Sequence, residues 1–286
     1  MEPGDHTRQL TVDDRERSYI VHVPAVTSPP AVWPVVLAFH GGGTNAETMI
    51  RFSGLSEKAD EAGFVVVYPN GSGRSSQALT FNAGNCCGHA LRYDVDDVKF
   101  VGQLLDDLTR MLPVDARRVF ATGMSNGAML CYLLAGQMAD RIAAIAPVAG
   151  PMGTASCSPS RPVPIIQFHG TADEFAPYRG GRGRRSRTGV KFLSVDQTIS
   201  AWVAANGANP RPTVTQLPLK YVDGTRVTRT HYGAGHGSAE VVLYTIHEGG
   251  HTWPGRETPL KFLGKTTLNI SANDLMWIFF QRHPMT

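Results

Sequence analysis

Short runs of apolar residues alternate along the chain with stretches in which apolar positions recur every three or four residues, a rhythm that predicts strands separated by helices. At the start, 8–12 and 18–23 read as strands joined by the turn-forming Asp13-Asp14-Arg15, giving a β-hairpin. Val35-Val36-Leu37-Ala38-Phe39 is apolar at every position, as suits a strand covered on both faces of a parallel sheet. Residues 64–68 repeat the pattern after a helical stretch over 53–62. Over 94–112, Val95, Val98, Val101, Leu104, Leu105, Leu108 and Met111 mark one face of an amphipathic helix. Asp94, Asp96 and Asp97 fall in its first turn, where capping and the helix dipole favour acids. A strand at 119–122 and a helix at 126–138 follow. Beyond them come strands at 142–148, 163–168, 213–217, 226–232 and 240–246, with helices at 194–205 and 271–281. The predicted class is α/β: a doubly wound, mainly parallel sheet flanked by helices, with an antiparallel hairpin at its N-terminus. No repeat or linker divides the chain, so a single domain over 1–286 is expected, with flexible ends at 1–7 and 284–286.

Composition narrows the possibilities. The 286 residues are 42% hydrophobic and 18% charged, a globular balance that argues against extended disorder. No apolar run approaches the ~20 residues of a membrane-spanning helix. Arg179, Arg182, Arg184, Arg185 and Arg187 crowd an acid-free segment; taking these five from the net charge of +3 leaves −2 for the rest. The basic pI is therefore local, which argues against a nucleic-acid partner. The Arg/Gly-rich stretch 179–189 reads as a solvated surface loop, or alternatively as a cationic rim for an acidic substrate. The opening residues lack the basic start and apolar core of a signal peptide. Four cysteines are too few for a disulfide scaffold and lack zinc-site spacing. Because a bond between neighbours is strained, Cys86 or Cys87 with Cys157 is the expected pairing, and four reduced thiols are the alternative.

The sharpest chemical signal is Gly123-Met124-Ser125-Asn126-Gly127, set between a strand and a helix. Small residues at both ends permit a tight turn that lifts a serine hydroxyl above the sheet, with the Asn126 N–H at a helix N-terminus for an oxyanion. A serine nucleophile needs a base and an orienting acid, following in the order acid, then histidine, after later strands. Asp173 in His169-Gly170-Thr171-Ala172-Asp173 and His251 after Gly249-Gly250 meet that requirement. His40 and His169 read as loop anchors, His231 and His236 as exposed, and Glu174 as directed away from the site. In His40-Gly41-Gly42-Gly43-Thr44, Gly42 is the first choice for the second oxyanion donor and Gly43 the next. A phosphate-cradling loop is disfavoured by the spacing.

These motifs, with Phe81-Asn82-Ala83-Gly84-Asn85-Cys86-Cys87-Gly88, Gly249-Gly250-His251-Thr252-Trp253-Pro254-Gly255 and Ile270-Ser271-Ala272-Asn273-Asp274, resemble the polyhydroxybutyrate depolymerase/feruloyl esterase group of α/β-hydrolases over nearly the whole chain. The resemblance implies an α/β-hydrolase fold and a catalytic triad of Ser125, Asp173 and His251. It also implies an oxyanion hole at Asn126 and the Gly42 region, Trp253 as a pocket wall, and an oxidised cysteine pair in a secreted or periplasmic enzyme. It implies no metal and no cofactor. The expected substrate is a feruloyl-type aromatic ester of plant cell-wall polysaccharide. A poly(3-hydroxybutyrate)-type polyester is the runner-up, and acyl transfer with the same triad is more distant. The chain departs from the group at Ala208 and Gly235, where members often carry a cysteine pair, and at the arginine-rich loop, which has no counterpart in the pattern.

Overall fold

The computed structural model describes every residue of the chain except Arg187, His236 and Thr286, so expectations touching those three lie outside the described residues. Among the described residues, ten strands form one sheet. They are β1 (Gly4–Val12), β2 (Arg15–Val23), β3 (Trp33–Phe39), β4 (Val65–Pro69), β5 (Val114–Met124), β6 (Ala144–Val148), β7 (Ile165–Gly170), β8 (Thr213–Gln216), β9 (Arg226–Tyr232) and β10 (Val241–His247). Their order is β1-β2-β4-β3-β5-β6-β7-β10-β9-β8. The six central strands from β4 to β10 pair in parallel, while β1–β2, β2–β4, β10–β9 and β9–β8 pair antiparallel.

Among the described residues, seven α-helices cover the two faces: α1 (Ala46–Ser53), α2 (Leu55–Ala62), α3 (Gly88–Arg92), α4 (Asp97–Met111), α5 (Asn126–Gln137), α6 (Val195–Ala205) and α7 (Ala272–Gln281). Alternate residues of β3 feed two separate cores. Val35, Leu37 and Phe39 join Phe100, Leu104 and Trp202 on one face. Val36 and Ala38 join Met49, Phe64 and Phe280 on the other. That two-sided burial is why β3 is apolar throughout and not alternating.

Several local details differ from the expectations. The helix expected over 53–62 is α2, and an unforeseen helix precedes it: α1 begins after Asn45, whose side chain accepts from Thr48 N–H at 3.0 Å, and Gly54, left-handed at φ 61°, separates it from α2. Of the three early acids around α4, only Asp96 caps the helix, accepting from Lys99 N–H at 2.8 Å. Asp97 is instead buried against Arg17 at 2.6 Å. Residues 4–7, expected to be flexible, pair with β2 from Gly4↔Val23 onward, and Met285 is tied to Arg117, its N–H donating to Arg117 O at 2.8 Å and its carbonyl accepting from Arg117 Nε–H at 2.6 Å. His231 is half-buried, with Nε2 2.5 Å from the Glu240 carboxylate, not exposed. Among the described residues, no helix is long and apolar enough to cross a membrane.

Candidate active site

β5 ends in a sharp turn at Ser125, whose backbone stands at φ 57°, ψ −115° before α5 begins. A non-glycine residue in this region is strained, and the surroundings hold it there. Ser125 N–H donates to Val148 O of β6 at 2.9 Å, and Ser125 O accepts from Met129 N–H at 3.0 Å. Gly127 explains why the turn needs small flanking residues: a Cβ there would lie 2.6 Å from the Phe39 carbonyl carbon and 2.7 Å from His40 O. The turn is wedged against the end of β3.

Asn126 opens α5, so its N–H has no intrahelical acceptor and is available to a substrate oxygen. Its buried side chain has a separate task. Oδ1 accepts from Phe81 N–H at 2.8 Å, and Nδ2 donates to Phe81 O at 3.0 Å. The residue thereby fastens the 81–88 loop to the turn. Gly42 lies beside Asn126, where a Cβ would sit 3.5 Å from Asn126 Cβ. Gly43 is a different matter: its N–H is already donated to Leu79 O at 2.8 Å, so it does not fit the donor role expected as second choice. His40 anchors the glycine loop, Nδ1–H donating to Gly41 O at 2.8 Å and Nε2 accepting from Gly71 N–H at 3.0 Å. Burial lowers its pKa to about 4, so the ring is neutral and acts as a fixed strut.

Asp173 follows the end of β7 and is buried. Its Oδ1 accepts from Phe175 N–H at 2.8 Å and Ala176 N–H at 2.9 Å, which leaves Oδ2 for His251 Nδ1–H at 2.7 Å. Burial pushes the Asp173 carboxyl up, but the adjacent His251, His169 and the Ala176 N–H outweigh it and hold the group below the ordinary carboxylate range. His169, fully buried, donates Nε2–H to Ala176 O at 2.8 Å and stands 3.6 Å from Asp173 Oδ2. Desolvation lowers its pKa, against the opposing pull of Asp173. His251 is held by its N–H to Leu263 O at 2.6 Å, while Gly250 N–H binds Lys265 O at 2.9 Å.

Two cavities meet at Ser125. The first, of about 300 Å³, is lined by Ser125, His251 and a largely apolar wall that includes Met49, Phe52, Phe175 and Phe262. The second, of about 630 Å³, is lined by Ser125, Asn126, Gly43, Cys87, Phe192 and Arg185, among others. Among the described residues, no hydrogen bond joins the Ser125 hydroxyl to the imidazole across the first cavity. Such contacts commonly tighten only when substrate arrives.

The chain matches the family described as Esterase PHB depolymerase over residues 17–241, a span that includes Ser125 and Asp173 and ends before His251. The chain belongs to that family. It is 32% identical over 280 residues to the Nocardia uniformis subsp. tsuyamanensis protein named Putative esterase NocK, covering 93% of this chain and 80% of that one. It is 29% identical to Feruloyl esterase B of Piromyces equi over 82% of this chain, but spans only 42% of that protein's length. Among solved structures, the acetyl xylan esterase from Aspergillus awamori superposes with a TM-score of 0.63 at 15% identity, over 96% of this chain and 99% of that one. The fold is the α/β-hydrolase fold.

Two expectations for this family member need correcting. Trp253 does not line either cavity. It is buried in the core, and its indole N–H donates to Asn273 Oδ1 at 2.8 Å; Asn273 Nδ2 in turn donates to Ser53 O at 2.8 Å. A buried indole N–H requires an acceptor, and meeting that requirement turns the ring toward α7, so that it braces the His251 loop from behind. Nor does Cys157 pair with Cys86 or Cys87. Those two sulfurs lie against each other in a turn closed by Ala83 N–H to Cys86 O at 2.6 Å and Cys87 N–H to Phe81 O at 3.0 Å, while Cys131 and Cys157 are free. Phe175 and Phe262 were not foreseen as cavity residues, while Arg185 belongs to the segment whose alternative reading was a cationic rim. Phe175 had a faint signal in standing two positions past Asp173, whereas Phe262 and Arg185 reach the site only through tertiary folding.

Proposed function

We propose that this single-domain esterase of the Esterase PHB depolymerase family hydrolyses carboxylic esters through an acyl-enzyme on Ser125. The observation that carries the reading is that a strained strand-to-helix serine and an Asp173-bonded His251 line one cavity. In this mechanism Asp173 keeps the proton on His251 Nδ1, so that Nε2 accepts the Ser125 proton as Oγ attacks the ester carbonyl. The Asn126 and Gly42 N–H groups receive the oxyanion. His251 returns its proton to the departing alcohol, and water deprotonated by the same nitrogen then releases the acid.

The preferred acyl group is aromatic, of the feruloyl type, on plant cell-wall polysaccharide. Support comes from the Phe52, Phe175 and Phe262 walls of the first cavity, which suit a planar ring. Polymer-linked esters of this kind lie outside the cell, which favours an exported enzyme with an oxidised cysteine pair at Cys86–Cys87. The second reading, an aliphatic hydroxyalkanoate polyester, is favoured by the family's name. Purified protein and Ser125→Ala assayed on methyl ferulate and on a 3-hydroxybutyrate trimer test both readings. Wild-type turnover lost in the variant supports the nucleophile, and the ratio of kcat/KM values chooses the substrate. Equal activity in the two proteins would refute the nucleophile assignment.

A further inference from the structure

The arginine-rich segment is folded down onto the acid loop. Gly181 and Phe192 exchange backbone hydrogen bonds of 2.9 Å, Ser186 N–H donates to Gly183 O at 3.2 Å, and Arg185 N–H donates to Glu174 O at 3.0 Å. Glu174, the neighbour of Asp173, also takes Arg185 Nε–H at 2.5 Å and stands 3.4 Å from Arg184. The loop is therefore clipped to the residue next to the candidate catalytic acid, and Glu174 sets the direction of the Arg185 side chain.

That clip leaves a surplus of positive charge on the loop that carries Arg185 to the second cavity. One carboxylate faces two guanidiniums, and among the described residues Arg179 and Arg182 have no acidic partner to add to it. Arg185 is bonded to Glu174 through Nε, and the residue, whose side chain is half-exposed, is among those that line the second cavity together with Ser125 and Asn126. A guanidinium with one edge pinned by a carboxylate presents a planar, preoriented pair of donors to an incoming anion.

We propose that Arg185 is a specificity-determining residue which binds a carboxylate carried by the ester substrate, a few bonds from the scissile carbonyl. The proposal rests on Ser125 being the nucleophile. The carboxylate can belong to the acyl half, as in a half-ester of a dicarboxylic acid, or to the alcohol half, as in a hydroxyacid oligomer with a free end.

Matched probes separate these cases. Phenyl hexanoate is compared with phenyl hydrogen adipate for the acyl half. The hexanoyl ester of 4-hydroxybenzamide is compared with that of 4-hydroxybenzoate for the alcohol half. In wild type, kcat/KM for the anionic member of one pair, relative to its neutral partner, should exceed the same ratio in Arg185→Gln by roughly tenfold, a modest value for a charge-assisted contact at a half-exposed site. The pair that responds identifies the half. Arg185→Lys should retain part of the preference, and added salt should erode it in wild type. Ratios in Arg185→Gln equal to wild type for both pairs, with melting temperatures also equal, would overturn the subsite. Hydrolysis persisting in Ser125→Ala would instead sink the nucleophile reading on which the subsite depends.

Discussion

Asp173→Asn offers a direct test of how the site is wired. The carboxylate makes three contacts: Oδ1 to two backbone N–H groups and Oδ2 to His251 Nδ1–H. An asparagine can keep its oxygen on Phe175 N–H and Ala176 N–H, which fixes the amide nitrogen opposite His251. Two donors then face each other unless the imidazole moves its proton to Nε2, and in that tautomer Nε2 cannot accept from Ser125. The expected loss is about 10³- to 10⁴-fold in kcat, equivalent to a barrier higher by about 4–5.5 kcal/mol. The fold should lose no more than about 2 kcal/mol, because both backbone bonds persist and a buried charge is removed. The pH dependence has a definite sign. A carboxyl held below its unfolded value of about 3.9 adds stability above that pH and loses it as pH falls through the lower folded value, so the variant should show a flatter acid-side stability profile. Initial rates on methyl ferulate, with thermal melts of the same samples, read both effects. A folded Asp173→Asn enzyme retaining more than about a tenth of wild-type kcat would refute the tautomer argument and direct attention to Glu174, whose change to Gln is otherwise expected to cost little.

Two further predictions concern the frame. Gly127→Ala must displace either the start of α5 or the end of β3, since its Cβ would lie 2.6 Å from backbone, and it should cost about 3 kcal/mol or more in urea-unfolding measurements along with most of the activity. Arg17→Met strands the buried Asp97 carboxylate and should cost about 3–5 kcal/mol at neutral pH. Burial already raises the Asp97 pKa despite Arg17, so the loss should shrink under mild acid as the carboxyl takes up a proton; an equal loss at both pH values would contradict this.

The parts of the molecule legible in the sequence are those whose physics is local. β3 announced itself by apolarity on both faces, α4 by its three-to-four spacing, and the Ser125 turn by glycines that a close backbone approach demands. The order serine, acid, histidine could be read because each residue follows a strand end. What escaped depended on partners distant in the chain. Asp97 looked like a helix-terminal acid because nothing near it reveals Arg17, 80 residues earlier. Trp253 looked like a pocket wall because its acceptor, Asn273, is 20 residues on and belongs to another element. Gly43 was a fair alternative to Gly42 until the Leu79 carbonyl claimed its N–H.

Those distant partners share a purpose that ties the frame to the chemistry. Asp97 takes Arg17 with one oxygen and Asn82 N–H, at 2.7 Å, with the other, so a buried ion pair fixes the start of the 82–88 loop. The residue before it, Phe81, is gripped through both its N–H and its carbonyl by the Asn126 side chain. Asn126 is thus held by its side chain while its backbone N–H, the proposed oxyanion donor, is left without an intrahelical acceptor, and the same clamp sets the Cys86–Cys87 wall of the second cavity. An oxyanion donor is effective when its orientation is settled before charge develops. A serine or alanine at 126 would keep the N–H but release the loop. The Asn126 amide thus locks the turn, apart from the oxyanion role proposed for its peptide N–H.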